Sequence, residues 1–486
     1  MKSGRLIIRN ATSGAVMQVL KIVINFLVRT LFIRTLGESA LGLNGLFTNM
    51  LNLLSLTELG FGAAIVTHMY KPLAHGDDNR VLVLMRIYKT IYLSVGFILM
   101  LIGSILMVGI PIITRSYHGP LNVQVIFALY LANVVLSYLL GYKTSVLNAD
   151  QRSYVVNNSY SMMFLIQSFL QAVILLFFKN FYLYLIIAIF GTVFQNVYVR
   201  VYVGKRYPFL KRISGFASRQ DIMSVTDYVK PLLVYQVSGV VNNSTDSIVI
   251  SQFLSVAVVG RYSNYMMVVA ALSSLMNSIV SGITSTIGNV ASTKPERLFG
   301  SFKKMFNMIA VISLFVALCL SALLSPFVTI WLGSKYVFDW KVSAMFSLTL
   351  YVNLMGLAGM VFREATGSFV YRQYLPVVSV IINLAFSMLL VNVVGVGGVL
   401  VGTVVSRLAT YTWNDPNVLF KQHFAKSSGK FLKKLYFEIS MVAVLIFTVA
   451  RVTSVFAYSV GGFLVLGMIV VLCALAVAIT RWVIRY

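Results

Sequence analysis

Long apolar segments separated by short polar ones run the whole length of the chain. Fourteen of them, near residues 11–33, 41–66, 87–110, 122–146, 158–178, 182–203, 230–253, 262–287, 305–330, 342–362, 373–393, 396–413, 437–457 and 461–480, approach the roughly 20 residues that an α-helix needs to cross a bilayer. The first stretch departs from the uniform pattern. Gly14, Gln18, Lys21, Asn25 and Arg29 recur at i+3 and i+4 spacing, which lines them along one helix face. Val16, Met17, Val19, Leu20, Ile22, Val23, Ile24, Phe26 and Leu27 keep the remaining sides apolar. Lys21 falls near the middle of the stretch, where a charge costs about 2.5–3.5 kcal/mol on insertion scales. The stripe is therefore expected to face a watery cavity or a partner rather than lipid.

Three other stretches carry polar faces at the same spacing. The second has Asn44, Thr48, Asn52, Ser55, Glu58 and Gly62; the seventh has Gln236, Gly239, Asn243 and Asp246; the eighth has Ser274, Asn277, Ser281, Ser285 and Gly288. The pattern also repeats at an offset near 218. Leu36 to Asn44 can be laid on Leu254 to Tyr262, Asn25 on Asn243 and Arg86 on Lys304, while Pro111 pairs with Pro326 and Arg152 with Arg372 at neighbouring offsets. Six stretches precede the second copy, so both copies have the same orientation and predict two lobes about an axis along the membrane normal. The expected architecture is an all-α polytopic membrane protein: a lobe of six helices over 1–228, a second over 229–414, and a basic loop with two further helices over 415–486. The four polar faces are the first two helices of each copy, which predicts a hydrated cavity between the lobes. Small-residue motifs such as Gly398-x-x-x-Gly402 are read instead as helix-packing positions.

Composition and charge sharpen this picture. Of 486 residues 59% are hydrophobic and 11% charged, with mean hydropathy +0.87, beyond what a soluble globular chain carries. The net charge of +26 would suggest nucleic acid in a soluble protein. Here thirty of the 39 Lys and Arg fall on one side of the alternating spans, eight on the other, and Lys21 lies within a span. Such a bias marks cytoplasmic segments, so both termini are expected inside and no nucleic-acid partner is expected. Cys319 and Cys473 lie in apolar stretches and read as core residues, and His68, His75, His118 and His423 are scattered at helix ends. No Gly-rich phosphate loop, zinc-type cluster or nucleophile elbow is present in the sequence. The reading is of a protein that is not an enzyme and needs neither cofactor nor metal.

Lys21 and Arg29 are spaced by about 12 Å along a helix at 1.5 Å per residue, which suits an anionic group handed from one to the other. Phosphate or pyrophosphate fits, with Lys as a point charge and Arg as a bidentate fork. Gln18, Asn25, Asn52, Asn243 and Asn277 complete the candidate substrate-binding set. Glu58 and Asp246 are intramembrane acids that either pair with the cations or carry a coupling proton or sodium ion. Arg34 and Arg261 sit at the outer ends of their stretches as candidate gate cations.

These residues resemble the oligosaccharide flippases of the multidrug/oligosaccharidyl-lipid/polysaccharide exporter superfamily, in particular the polysaccharide transporters of bacterial capsule and exopolysaccharide clusters. The resemblance rests on Arg34-Thr35-Leu36-Gly37 with Leu41-Gly42-Leu43-Asn44, Glu58-Leu59-Gly60-Phe61-Gly62, and Met69-Tyr70-Lys71-Pro72-Leu73-Ala74. It continues in Leu147-Asn148-Ala149-Asp150-Gln151-Arg152 and Asp246-Ser247-Ile248-Val249-Ile250. It implies alternating access between two six-helix bundles that moves an undecaprenyl-pyrophosphate-linked oligosaccharide across the bacterial cytoplasmic membrane. The implied partners are that lipid-linked sugar, membrane lipid, and the polymerase and glycosyltransferases of the same pathway. The same superfamily exports other cargo, such as the peptidoglycan lipid precursor or drugs. A polytopic polymerase or ligase is the rival from another class, and the short outer loops speak against it.

Overall fold

The computed structural model describes residues 2–54, 61–150, 152–211, 244–293, 295–366 and 374–454, with a few isolated positions between them. Among the described residues every long element is helical and none is a strand. Nine described helices are long and apolar enough to cross a membrane, and the chain is a multi-pass membrane protein.

The chain divides into two compact units, one of Met1–Val240 with Ser255–Gly260 and one of Val241–Leu254 with Arg261–Tyr486. The first unit holds α1 (Lys2–Leu54), α2 (Phe61–His75), α3 (Asp78–Ile113), α4 (Val123–Gly141), α5 (Thr144–Ala149), α6 (Ser153–Val173) and α7 (Phe181–Arg206). The first two predicted spans meet within α1, which is interrupted at Gly37 with φ +85 and ψ 178. Only glycine occupies that backbone region without strain, so Gly37 lets two helices follow one another without a loop. Local side chains set the other starts. Asp77 accepts from the Arg80 amide at 2.9 Å, Asn122 from the Gln124 and Val125 amides, and Asn180 from the Leu183 amide. Each satisfies orphan N–H groups of a first helical turn.

α3 shows why this unit belongs in lipid. Val81, Leu84, Tyr88, Tyr92, Val95 and Leu99 face the interior, while Phe97, Leu101, Ile105, Val108 and Ile112 are exposed on its other sides. A helix apolar on its outward face has no favourable solvent but hydrocarbon.

The second unit contains α8 (residues 244–253), most of α9 (Val256–Thr293), α10 (Leu298–Leu332), α11 (Trp340–Thr366), α12 (Leu375–Val394), α13 (Val396–Ala409), α14 (Tyr411–Gln422) and α15 (Gly429–Thr453). α11 is its axis. It packs on α10, α13, α14 and α15, and 78% of its apolar window is buried, against 17–28% in α3, α4, α6 and α7. α12 and α13 form a close hairpin. A side chain at Gly398 would strike the Leu390 backbone, and one at Gly402 would strike the Asn383 carbonyl and Ser387. These glycines are packing positions, as their spacing predicted.

Residues 415–422, which the sequence places in a basic loop, are not loop. They belong to α14, in which Asn414, Asp415, Pro416, Val418, Leu419 and Phe420 are buried. Arg363, counted among the topogenic cations, is 4% exposed and bonds Asp415 through Nη1 at 2.6 Å. The apolar positions 416, 418, 419 and 420 give this short helix a face to bury, and the ion pair neutralises its buried acid.

Residues that the repeat pairs can be placed in the fold. Pro111 and Pro326, paired by it, lie near the ends of α3 and α10. Gly42 and Gly260, also paired, meet within the first unit: a side chain on Gly42 would strike the Val256 carbonyl, and one on Gly260 the Glu38 carbonyl.

Candidate functional site

Two polar clusters stand out, one in each unit. In the first, α1 carries the predicted stripe. Gln18, Lys21 and Arg29 are half-buried and Asn25 is exposed, whereas Val19, Val23 and Leu27 on the opposing side are exposed apolar residues. Arg29 lies within electrostatic reach of the Tyr184 and Tyr130 hydroxyls. Both tyrosines are held by aromatic edges from α1 itself: Phe32 meets Tyr184 at 5.1 Å and Phe47 meets Tyr130 at 6.2 Å. The Tyr130 hydroxyl also donates to Asn44 Oδ1 at 2.5 Å, and Thr48 reaches the same oxygen at 3.5 Å. α1 thus supplies the base and the amide, and α4 and α7 supply the hydroxyls. Such a set binds an anion through the guanidinium and orients it through neutral donors.

In the second unit, Asp246 on α8 is 4% exposed. Tyr262 on α9 donates to its Oδ2 at 3.0 Å, and Thr403 on α13 approaches that same oxygen at 3.4 Å. Asn383 on α12 donates from Nδ2 to the Thr403 hydroxyl at 3.0 Å. The chain amide–hydroxyl–carboxylate is possible only because Gly402 lets α12 and α13 approach so closely. Two oxygens of this cluster, Asp246 Oδ1 and Asn383 Oδ1, are buried and make no hydrogen bond among the described residues. Buried acceptors are almost always satisfied. A buried carboxylate oxygen that no donor satisfies can take up a proton or contribute a ligand to a hard cation. Arg407, one turn beyond Thr403, acts on Asp246 electrostatically.

The other predicted residues are dispersed. Arg34, Asn52 and Asn277 are exposed. Arg261 is half-buried with its guanidinium 5.9 Å from the Phe338 ring, a cation–π geometry. Glu58 and Asn243 lie outside the described residues. The fold thus joins Arg29 to Asn44 through Tyr130, and Asp246 to groups that the periodic stripes did not include. Tyr130, Tyr184, Tyr262, Asn383, Thr403 and Arg407 were missed. Asn383 carried a faint signal as a lone amide within Val377-Val378-Ser379-Val380-Ile381-Ile382 and Leu384-Ala385-Phe386. The tyrosines carried none, because tyrosine is ordinary in membrane helices.

Comparison with known proteins adds identity to this geometry. Residues 7–284, more than half of the chain, match the family described as polysaccharide biosynthesis protein. The chain belongs to that family. No curated protein matches it. Among solved structures, the lipid II flippase MurJ in an inward closed conformation superposes with a TM-score of 0.67 at 12% identity, covering 96% of this chain and 99% of that one. An inward-facing multidrug resistance MATE family transporter of the MOP superfamily gives 0.63 at 14%, covering 86% and 99%. A variant of the Vibrio cholerae MATE transporter VcmN gives 0.53 at 15%, covering 90% and 100%. At these identities the likeness establishes the fold. This member of the polysaccharide biosynthesis family has the architecture of MOP-superfamily transporters, as its motifs implied.

Proposed function

We propose that this protein is a flippase that moves an undecaprenyl-pyrophosphate-linked oligosaccharide across the bacterial cytoplasmic membrane for polysaccharide assembly. The observation that carries the reading is the cationic face of α1, with Lys21 and Arg29 on one stripe and Tyr130 and Tyr184 beside Arg29, in a chain of the polysaccharide biosynthesis family. A pyrophosphate is the part of such a substrate shared by every sugar sequence, and it calls for this chemistry. Lys21 attracts it as a point charge, and Arg29 grips it as a fork. Gln18, Asn25, Asn52, Asn243 and Asn277 supply neutral contacts to sugar, and Arg34 and Arg261 attract the anion at the outer ends of their helices.

Asp246, with Thr403 and Asn383, takes up the coupling proton or sodium ion, and Glu58 is the second candidate for that role. Transport by alternating access needs only that ion and substrate bind the two states differently; no covalent chemistry is involved, so the protein is not an enzyme. Both termini face the cytoplasm, where glycosyltransferases build the substrate, and the polymerase receives it outside.

The test is translocation in proteoliposomes offered three cargoes: an undecaprenyl-pyrophosphate oligosaccharide, the peptidoglycan lipid precursor and a cationic dye. The oligosaccharide lipid is expected to cross under an imposed proton or sodium gradient, with the other two at background. Dye export without movement of either lipid would replace this reading with that of a drug exporter.

A further inference from the structure

The polar end of α10 and α15, which the charge bias assigns to the cytoplasmic face, contains a cavity of about 320 Å³ within the second unit. Its floor is aromatic. Phe302 and Phe306 of α10 are buried and meet Phe420 of α14 and Phe431 of α15, with Phe306–Phe431 centroids at 4.9 Å and Phe420–Phe431 at 5.1 Å. Its rim is cationic. Lys303 on α10, Lys426 in the α14–α15 turn and Lys430 on α15 line it with exposed side chains, joined by Lys434. Lys426 Nζ lies 3.8 Å above the Phe299 ring. Glu438, the one acid among the lining residues, is buried at the far side from the turn. The rings stack among themselves and would do so in any aromatic core, but a packed core does not leave this volume open beneath four like charges.

We infer that this cavity is a binding site for an acidic phospholipid, its phosphate held by the Lys303–Lys426–Lys430 rim and its glycerol and first acyl carbons resting on the phenylalanines. The volume falls in the range of small-molecule pockets, and lysines clustered between membrane helices at a cytoplasmic face suit anionic head groups. Lysine rather than arginine fits a head group that arrives in many orientations, since an ammonium imposes no planar geometry. A free phosphate would satisfy the rim and leave the aromatic floor uncovered. A lipid covers both. The site is separate from the α1 stripe and does not depend on the cargo proposed above.

Native mass spectrometry of the purified full chain tests this, with phosphatidylglycerol, phosphatidylcholine and inorganic pyrophosphate titrated separately. Phosphatidylglycerol is expected to bind in preference to phosphatidylcholine, and pyrophosphate to leave the bound lipid in place. The combined Lys303→Gln, Lys426→Gln and Lys430→Gln variant should lower phosphatidylglycerol affinity by about a hundredfold, the loss expected for three cations at an anionic surface. Ser427→Trp, which fills the mouth from an exposed turn position without changing charge, should lower it as well and serves if the triple variant does not fold. Equal binding of both lipids, displacement by pyrophosphate, or wild-type lipid affinity in Ser427→Trp would each overturn the inference.

Discussion

The two units, which the sequence reads as copies of one pattern, place opposite chemistry in their interiors. The first presents bases and hydroxyls: Lys21 and Arg29 on α1, with Tyr130 and Tyr184 supplied by neighbouring helices. The second encloses an acid, Asp246, in a shell of Tyr262, Thr403 and Asn383. Their packing differs in the same sense. Apolar windows in the first unit are 17–28% buried, whereas those of the second range from 22% in α12 to 61% and 78% in α10 and α11. An acid whose oxygen is left open needs an interior that excludes water and fixes its partners. A cationic surface for a large head group needs access. A duplicated scaffold can therefore divide the work, one copy keeping an accessible stripe and the other a closed pocket.

The sharpest way to break this contrast is to neutralise each interior in turn. Asp246→Asn should abolish the response of transport to a proton or sodium gradient while substrate binding in detergent persists. The Lys21→Ala, Arg29→Ala double variant should lower transport by about a hundredfold or more through weaker substrate binding, each lost charge-assisted contact contributing roughly 1.5–3 kcal/mol, and leave the choice of coupling ion unchanged. If Asp246→Asn instead weakened binding of the lipid-linked sugar and the double variant lost the gradient response, the roles of the two units would be exchanged.

The next comparison concerns acid–base pairs at helix ends. Arg363 and Asp415 in the second unit are buried to 5% and 8% side-chain exposure, while Arg152 and Asp150 in the first remain 31% and 32% exposed. Tyr207 also bonds Asp150, and burial with that hydrogen bond pushes its phenol well above the ordinary range, keeping it neutral. Asp415→Ala removes the carboxylate that neutralises a buried guanidinium and should lower stability by about 3–5 kcal/mol, read as a fall in Tm in detergent. Asp150→Ala leaves Arg152 in contact with water and should produce a much smaller shift. Equal shifts would show that burial does not distinguish the units at these ends.

Smaller effects are expected at the glycines. Gly402→Val overpacks the α12–α13 hairpin, by about 1–3 kcal/mol, and should also weaken ion coupling because it moves Thr403 away from Asn383. Gly37→Ala meets no neighbour and suffers only from its backbone angle, a loss of roughly 1 kcal/mol. A coupling defect in Gly37→Ala with none in Gly402→Val would remove the hairpin from the argument.

Much of this was legible before any coordinates. The apolar segments placed the helices because backbone groups in hydrocarbon must be satisfied within the segment. The stripe on α1 was legible because helical periodicity puts Gln18, Lys21, Asn25 and Arg29 on one face. Asp246 was visible as the acid on the polar face of the seventh stretch. Its shell was not, since Tyr262, Asn383 and Thr403 sit 16, 137 and 157 residues away and are individually unremarkable in membrane helices. The burial of Arg363 was likewise hidden: a charge count treats every cation near a helix end as solvated, and only the apolar face of α14 decides otherwise.

The sequence by itself determined the membrane class, the helical composition, the repeat, and the positions where charge interrupts apolar segments. These are properties of single segments against their solvent, and each is decided locally by transfer free energy and periodicity. Tertiary structure alone decided which polar groups meet. It gave Arg29 the Tyr130 and Tyr184 hydroxyls, Asp246 a shell with two open oxygens, and the lysines near α15 an aromatic cavity beneath them. Those outcomes depend on how closely helices approach, and that distance is set by glycines and ring edges contributed from distant parts of the chain.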